Sequence, residues 1–227
     1  MRINQASRAD IDGARALRHS QYLRLQRLNR SLFQVDAPMS YHAAVALSLF
    51  LGLVVGSPGL AQELKSGPQP GELLPGPFHP YNLNGPFATH PHCLVCEFGP
   101  RPVVMVFARD ATKITGLLQK LDEVVGRRRD VGLKAFAVIL SPDFAKEENR
   151  KEVIQSLEKT AADLKNVILA VEGPDGPEKY RINKDADVTV ILYRKLNVAA
   201  NFAYAKDKLT DKEIGDILAA IDKLAAP

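Results

Sequence analysis

An α/β domain with a central mixed sheet, helices on both faces, a C-terminal β-hairpin and a closing helix is the fold class this sequence predicts. Three observations carry it. Between residues 101 and 171, short apolar β-rich runs alternate with stretches of helical periodicity, the pattern of crossovers whose strands lie parallel. Two later runs are separated only by Arg194-Lys195-Leu196, far too little chain for a crossover and the right amount for a hairpin. The final segment then opens with a helix-capping signature.

The elements follow in order. The run PVVMVFA at 102 to 108 is continuously apolar, as a strand buried on both faces requires. Asp110 stands where an N-cap belongs. Ile114, Leu117, Leu118, Leu121 and Val125 recur at helical spacing, and Gly126 is placed to close that helix. LKAFAVIL at 133 to 140 predicts a second buried strand and Ser141-Pro142-Asp143 a turn. Val153, Leu157, Ala161 and Leu164 mark one face of a second helix, and VILAV at 167 to 171 a third strand. PEKYRI at 177 to 182 predicts a short helix, and VTVILY with NVAANFAY, 188 to 193 and 197 to 204, forms the hairpin. Thr210-Asp211-Lys212-Glu213 is the capping box of the last helix, with Ile214, Ile217, Leu218, Ile221 and Leu224 turned inward.

Upstream of this domain, assigned to 101–227, three segments differ in composition. Residues 1–38 hold seven Arg, three Asp and no Lys and read as a basic extension, or as chain before the true initiator Met39. Residues 39–61 read as a signal peptide: Ala43 to Gly56 is uncharged and apolar, Ser57-Pro58-Gly59 breaks it, and Gly59-Leu60-Ala61 offers small residues at a cleavage site. The run is too short to cross about 30 Å of hydrocarbon. Cleavage after Ala61 would start the mature protein at Gln62 and leave no membrane anchor. Residues 62–100 are dense in Pro and Gly and read as an arm that carries both cysteines.

Charge narrows the partners. The chain has 30 basic and 26 acidic residues; the seven Arg and three Asp before Met39, with no charge in 39–61, leave 23 of each sign afterwards. The mature chain is neutral and has no basic stripe with interleaved aromatics, so nucleic acid is not expected as a partner. No Ser-His-Asp set, paired-carboxylate motif or phosphate-cradling glycine loop stands out, and no cofactor is expected. Arg127 to Arg129 read as a solvated helix end, and Glu147, Glu148 and Glu152 as a charged helix face.

The stretches RPVVMVFARD and KDADVTVILYRKLNV, in this order of elements, resemble the thioredoxin-like superfamily, nearest the branch of peroxiredoxins and bacterial envelope thiol-disulfide proteins. The resemblance spans roughly Arg101 to Ala226. It implies a cysteine in the loop after the first core strand and a cis-proline before the hairpin. Here that loop reads Ala108 to Lys113 without cysteine, and Val188-Thr189 stands where Pro-Thr is usual. Peroxidase chemistry at that position is therefore not expected.

The remaining candidates are Cys93 and Cys96, in HPHCLVCEFGP at 90 to 100. As a redox pair they have the Cys-x-x-Cys spacing that sets a thiol beside its resolving partner. His92 and Arg101 would favour a thiolate and Glu97 would oppose it. The motif precedes a strand on this reading and does not open a helix, which places it near the strand's N-terminal end unless the arm folds back. As a staple the pair closes so short a loop that it contributes only about 2 kcal/mol. His90, His92, Cys93 and Cys96, with His79 nearby, offer a weaker zinc or copper set. Covalent haem attachment would need His where Glu97 stands. The leading expectation is an exported thiol-disulfide oxidoreductase acting on a protein dithiol or disulfide; the alternative is a non-catalytic envelope module with a structural disulfide.

Overall fold

The computed structural model describes residues 64–226; the basic extension and the signal segment lie outside the described residues. Six strands form one sheet: β1 (Tyr81–Asn82), β2 (Val103–Ala108), β3 (Lys134–Leu140), β4 (Val167–Glu172), β5 (Val188–Arg194) and β6 (Asn197–Tyr204), in the order β1-β4-β3-β2-β5-β6. β2, β3 and β4 are parallel, and β5 joins β2 antiparallel. β6 completes the hairpin on β5, and β1 lines the far edge antiparallel to β4. The sheet is mixed because only β2, β3 and β4 are joined by crossover helices. The helices are α1 (Leu94–Phe98), α2 (Thr115–Arg127), α3 (Arg150–Ala162) and α4 (Asp211–Leu224).

Alternation along the strands divides the core. Val104, Val106 and Ala108 of β2 face a layer in which α2, α3 and α4 bury Leu117, Leu121, Leu157 and Ile217. Crossovers of one hand, stepping in one direction from β2 to β3 to β4, put α2 and α3 on the same side. Met105 and Phe107 face the opposite way, onto Phe78 of the arm, Leu94 and Phe98 of α1, and Tyr180. Helices thus lie on both faces, but unequally: three long ones on one, and on the other α1, a 3₁₀ turn at Glu178–Tyr180 and the arm. Phe78 is the arm's anchor, with its ring 5.8, 6.3 and 5.0 Å from those of Phe107, Phe136 and Tyr180. Among the described residues no helix is long and apolar enough to cross a membrane.

Two local expectations change. Gly126 does not end α2, which continues to Arg127; a Cβ there would stand 3.0 Å from Asn166 Nδ2, so the glycine lets helix and loop approach. That loop is held by Asp122 of α2, whose Oδ1 accepts from the amides of Lys165, Asn166 and Val167 at 2.9, 2.6 and 3.0 Å. Asp110 does not cap α2 directly. It accepts from the Thr112 amide at 2.8 Å and heads a 3₁₀ turn, Thr112–Ile114, that leads into the helix.

The capping box of α4 forms as its spacing predicts, with the Thr210 amide donating to Glu213 Oε2. Burial of Ile214, Ile217, Ile221 and Leu224 fastens the helix to the sheet at about 2 kcal/mol per side chain.

Candidate functional site

The arm folds back on itself before it reaches the cysteines. Tyr81 and Asn82 pair with Val171 and Ala170 on the β4 edge. Asn84 then ties the chain to the start of β4, its Nδ2 donating to the carbonyls of Ala161 and Val167 and its Oδ1 accepting from Leu169. Gly85, at φ +81°, begins the reversal that a side chain would resist. The returning strand lies against the outgoing one: Asn82 N donates to His90 O, Thr89 N to Asn82 O, and His92 N to Pro80 O. Tyr81 bridges Pro91. This reversal delivers Cys93 to the second face of the sheet, beside the β1–β4 edge.

There Cys93 becomes the N-cap of α1, with extended backbone at φ −85°, ψ 95°. This overturns the expectation that the motif does not open a helix. Three buried apolar residues, Leu94, Val95 and Phe98, explain why so short a helix forms, and Gly99 at φ +56° ends it. Phe98 rests on Phe136 of β3, ring centroids 6.0 Å apart. Cys93 and Cys96 are joined in a disulfide, and the Cys96 amide donates to Cys93 Sγ at 3.1 Å. The two sulfurs differ in access: Cys93 is 5 % exposed, within the second core layer, whereas Cys96 is exposed.

The flanking candidates are only partly brought together. His92 is half-buried and stacks on Phe87 at 3.6 Å between ring centroids, with Nε2 3.6 Å from Glu97 Oε2. Glu97 is thus the carboxylate within ion-pair distance of His92. His90 turns away, its Nδ1 3.0 Å from Ala88 O, and His79 is exposed on the arm. Arg101 lies against Gly132. Among the described residues no three His, Cys, Asp or Glu side chains gather as metal ligands would, and both sulfurs are already spent on each other.

The loop where the resemblance implies a catalytic cysteine has a structural task. Arg109, the residue after β2, donates to the carbonyls of Pro174, Ala186 and Asn183 at 2.9, 3.0 and 3.2 Å. Its guanidinium thereby staples the β4–β5 connection over the end of β2. Nothing local in the sequence announces this, because the acceptors lie 65 to 77 residues away. Lys113 pairs with Asp207 across a small cavity of about 180 Å³. Thr189 is buried, and its hydroxyl meets Ser66 of the arm at 2.6 Å. The arm therefore closes the ground beside the hairpin where Val188 replaces the usual proline.

A larger cleft, about 510 Å³, opens at the N-terminal ends of β3 and β4, with Leu94, Glu97 and Phe98 of α1 as one wall. The sequence reading missed it, since its walls come from the arm, α1, α2 and two strand ends.

No family model matches the chain, and no curated protein matches it. Similar solved structures include a putative thiol:disulfide interchange protein DsbE from Chlorobium tepidum, 14% identical, TM-score 0.49, covering 72% of this chain and 100% of that one. A DsbF homologue from Corynebacterium diphtheriae is 16% identical at TM-score 0.49, covering 74% and 96%. The bacterioferritin comigratory protein of Xanthomonas campestris is 14% identical at TM-score 0.46, covering 71% and 100%. The architecture is established by the strands themselves: three parallel strands joined by helices on one side, an antiparallel hairpin beside the first of them, and a helix packed back on the sheet. The chain has a thioredoxin-like fold.

Proposed function

We propose that the protein is a thiol-disulfide oxidoreductase whose working pair is Cys93 and Cys96, displaced from the loop that follows β2. The observation that carries this reading is the asymmetry of the disulfide: an exposed sulfur bonded to a buried one that already accepts a backbone hydrogen bond. An incoming thiolate reaches Cys96 Sγ; the Cys93–Cys96 bond breaks and Cys93 leaves as a thiolate. The Cys96 amide is in place to donate to that thiolate, and hydrogen bonding to the charged form favours it. A second thiol of the partner then attacks the partner's own sulfur in the mixed disulfide and releases Cys96. The partner ends as a disulfide and the pair as two thiols, two electrons and two protons having passed; the reverse sequence oxidises the pair.

The test is the reduction potential of the purified protein, with single serine variants beside it. A potential between about −100 and −270 mV, with turnover against a dithiol lost in both Cys93→Ser and Cys96→Ser, is the expected result. A potential well below about −300 mV, or full turnover in both variants, makes the disulfide a staple and the protein a non-catalytic module. The assignment of roles is checked by trapping with a partner disulfide: in Cys93→Ser the exposed Cys96 thiolate attacks it, releases one partner thiol and remains in a mixed disulfide, which Cys96→Ser does not form.

The same proposal places this chemistry outside the cytoplasm. The uncharged run of residues 43 to 56 with small residues at its end, and a disulfide that an oxidising compartment would preserve, support export. N-terminal sequencing of the protein recovered from the cell envelope should read from Gln62. An intact cytoplasmic product beginning at Met1 would overturn it.

A further inference from the structure

The cleft beside α1 has features that the redox chemistry does not require. Four of its lining residues are cations, Arg101, Arg129, Lys134 and Lys165, against a single carboxylate, Glu97. Among the described residues none of the four is in an ion pair, although the other faces of the domain carry several. In residues 62–227, which hold as many acidic as basic residues, such a predominantly cationic concavity is a local arrangement and not a reflection of net charge. Between the cations the wall is apolar, from Leu94, Phe98 and Leu133 among others.

Asn82 also lines the cleft, is 1 % exposed, and has no hydrogen-bond partner for its side-chain oxygen. The walls are stiff: Asn84 and Asp122 bind the start of β4 from two sides.

The position of the cleft links it to the disulfide. Leu94, Glu97 and Phe98 follow one face of α1, and at about 100° per residue Cys96 lies on the far side of the helix from Leu94 and Phe98, with Glu97 between. A polypeptide that presents sulfur to Cys96 reaches the cleft by passing around α1 over Glu97.

We infer that this cleft receives an extended, acidic segment of a protein partner, whose cysteine is offered to Cys96 on the other side of α1. Carboxylates of the segment meet Arg101, Arg129, Lys134 and Lys165, and its apolar side chains lie on Leu94 and Phe98. The inference rests on the redox reading for its purpose but not for its test, which uses oxidised wild-type protein and cysteine-free peptides. The probe is a fluorescein-labelled octapeptide with serine at the cysteine position followed by alternating Glu and Leu; its control has Lys in place of Glu.

Fluorescence anisotropy should show the acidic peptide binding at least tenfold more tightly than the basic one. The preference should weaken as salt is raised and reverse in a Lys134→Glu, Lys165→Glu variant. The neutral variant Lys134→Gln, Lys165→Gln, which removes the charge and keeps a polar side chain, should fall between the two, and the Asn82 side-chain amide signals should shift on titration with the acidic peptide. Equal affinity for both peptides in the wild type, or an unchanged preference in a charge-reversed protein that keeps the wild-type Tm, overturns the inference. Turnover of the wild type with a small neutral dithiol tests the redox reading separately: if it is absent while the acidic preference holds, the cleft stands as a peptide site and only the redox reading falls.

Discussion

Asp110 commits its carboxylate to Thr112, accepting from both the amide and the hydroxyl at 2.8 and 2.7 Å. The Thr112 hydroxyl is the main cause that holds its pKa below the ordinary carboxylate value, against the opposing effect of burial. The lowered pKa means that the folded state prefers the ionised form, so the contribution is present above the unfolded pKa of about 3.9 and fades as pH falls through the folded value. Asp110→Ala should cost about 1 kcal/mol in urea denaturation at pH 7. The gap between variant and wild type should narrow as pH falls below the unfolded value of about 3.9. Thiol-disulfide turnover should be unaffected, although Asp110 stands in the loop where the resemblance implies a cysteine; loss of turnover without loss of stability would contradict the proposed site. That Asp110 turns its carboxylate to the residues that follow was legible from the chain alone, although it is not the N-cap of α2. The short 3₁₀ detour it heads was not, because that depends on how Ile114 reaches the core. Arg109 beside it was illegible for a different reason: a guanidinium that serves three distant carbonyls leaves no local spacing to read.

Among the elements, the β5–β6 hairpin shows the same division. Two apolar runs three residues apart specified it, and it forms, but on a turn whose central residues Lys195 and Leu196 both have positive φ, +54° and +61°. Such a turn suits Asn-Gly far better than Lys-Leu. Replacing the pair, Lys195→Asn with Leu196→Gly, should stabilise the domain by about 1 kcal/mol, read as a higher urea midpoint with an unchanged slope. Destabilisation would show that the 41 % exposed Leu196 side chain contributes more than its backbone strain costs. α1 is the opposite case. Five residues carry too little periodicity to predict a helix, and Leu94–Phe98 forms one only because Leu94, Val95 and Phe98 bury against the sheet. A tertiary contact thereby turns a cysteine pair in a Pro/Gly-rich arm into a helix-capping pair.

At the scale of the molecule, the arm and the sheet share one core layer. Removing residues 62 to 100 would bare Met105, Phe107, Phe136 and Tyr193, each at most 1 % exposed in the whole domain. The fragment 101–227 should accordingly bind a hydrophobic dye and self-associate on size exclusion, whereas 62–227 should remain monodisperse and unfold in one step. A cooperative, soluble 101–227 fragment would show that the arm is dispensable for the fold. The sequence by itself determined the strands, the long helices, the hairpin and the thioredoxin-like order, because apolar periodicity and chain length between runs are local quantities that each element must satisfy. It also singled out Cys93 and Cys96, as the chain has no other cysteine. Only the tertiary structure decided that the arm doubles back along β4, that Cys93 is buried while Cys96 is exposed, and that a cationic cleft opens beside α1. Those features depend on which distant segments meet at the sheet's second face, and the chemistry of a meeting point is not written in any one of the segments that form it.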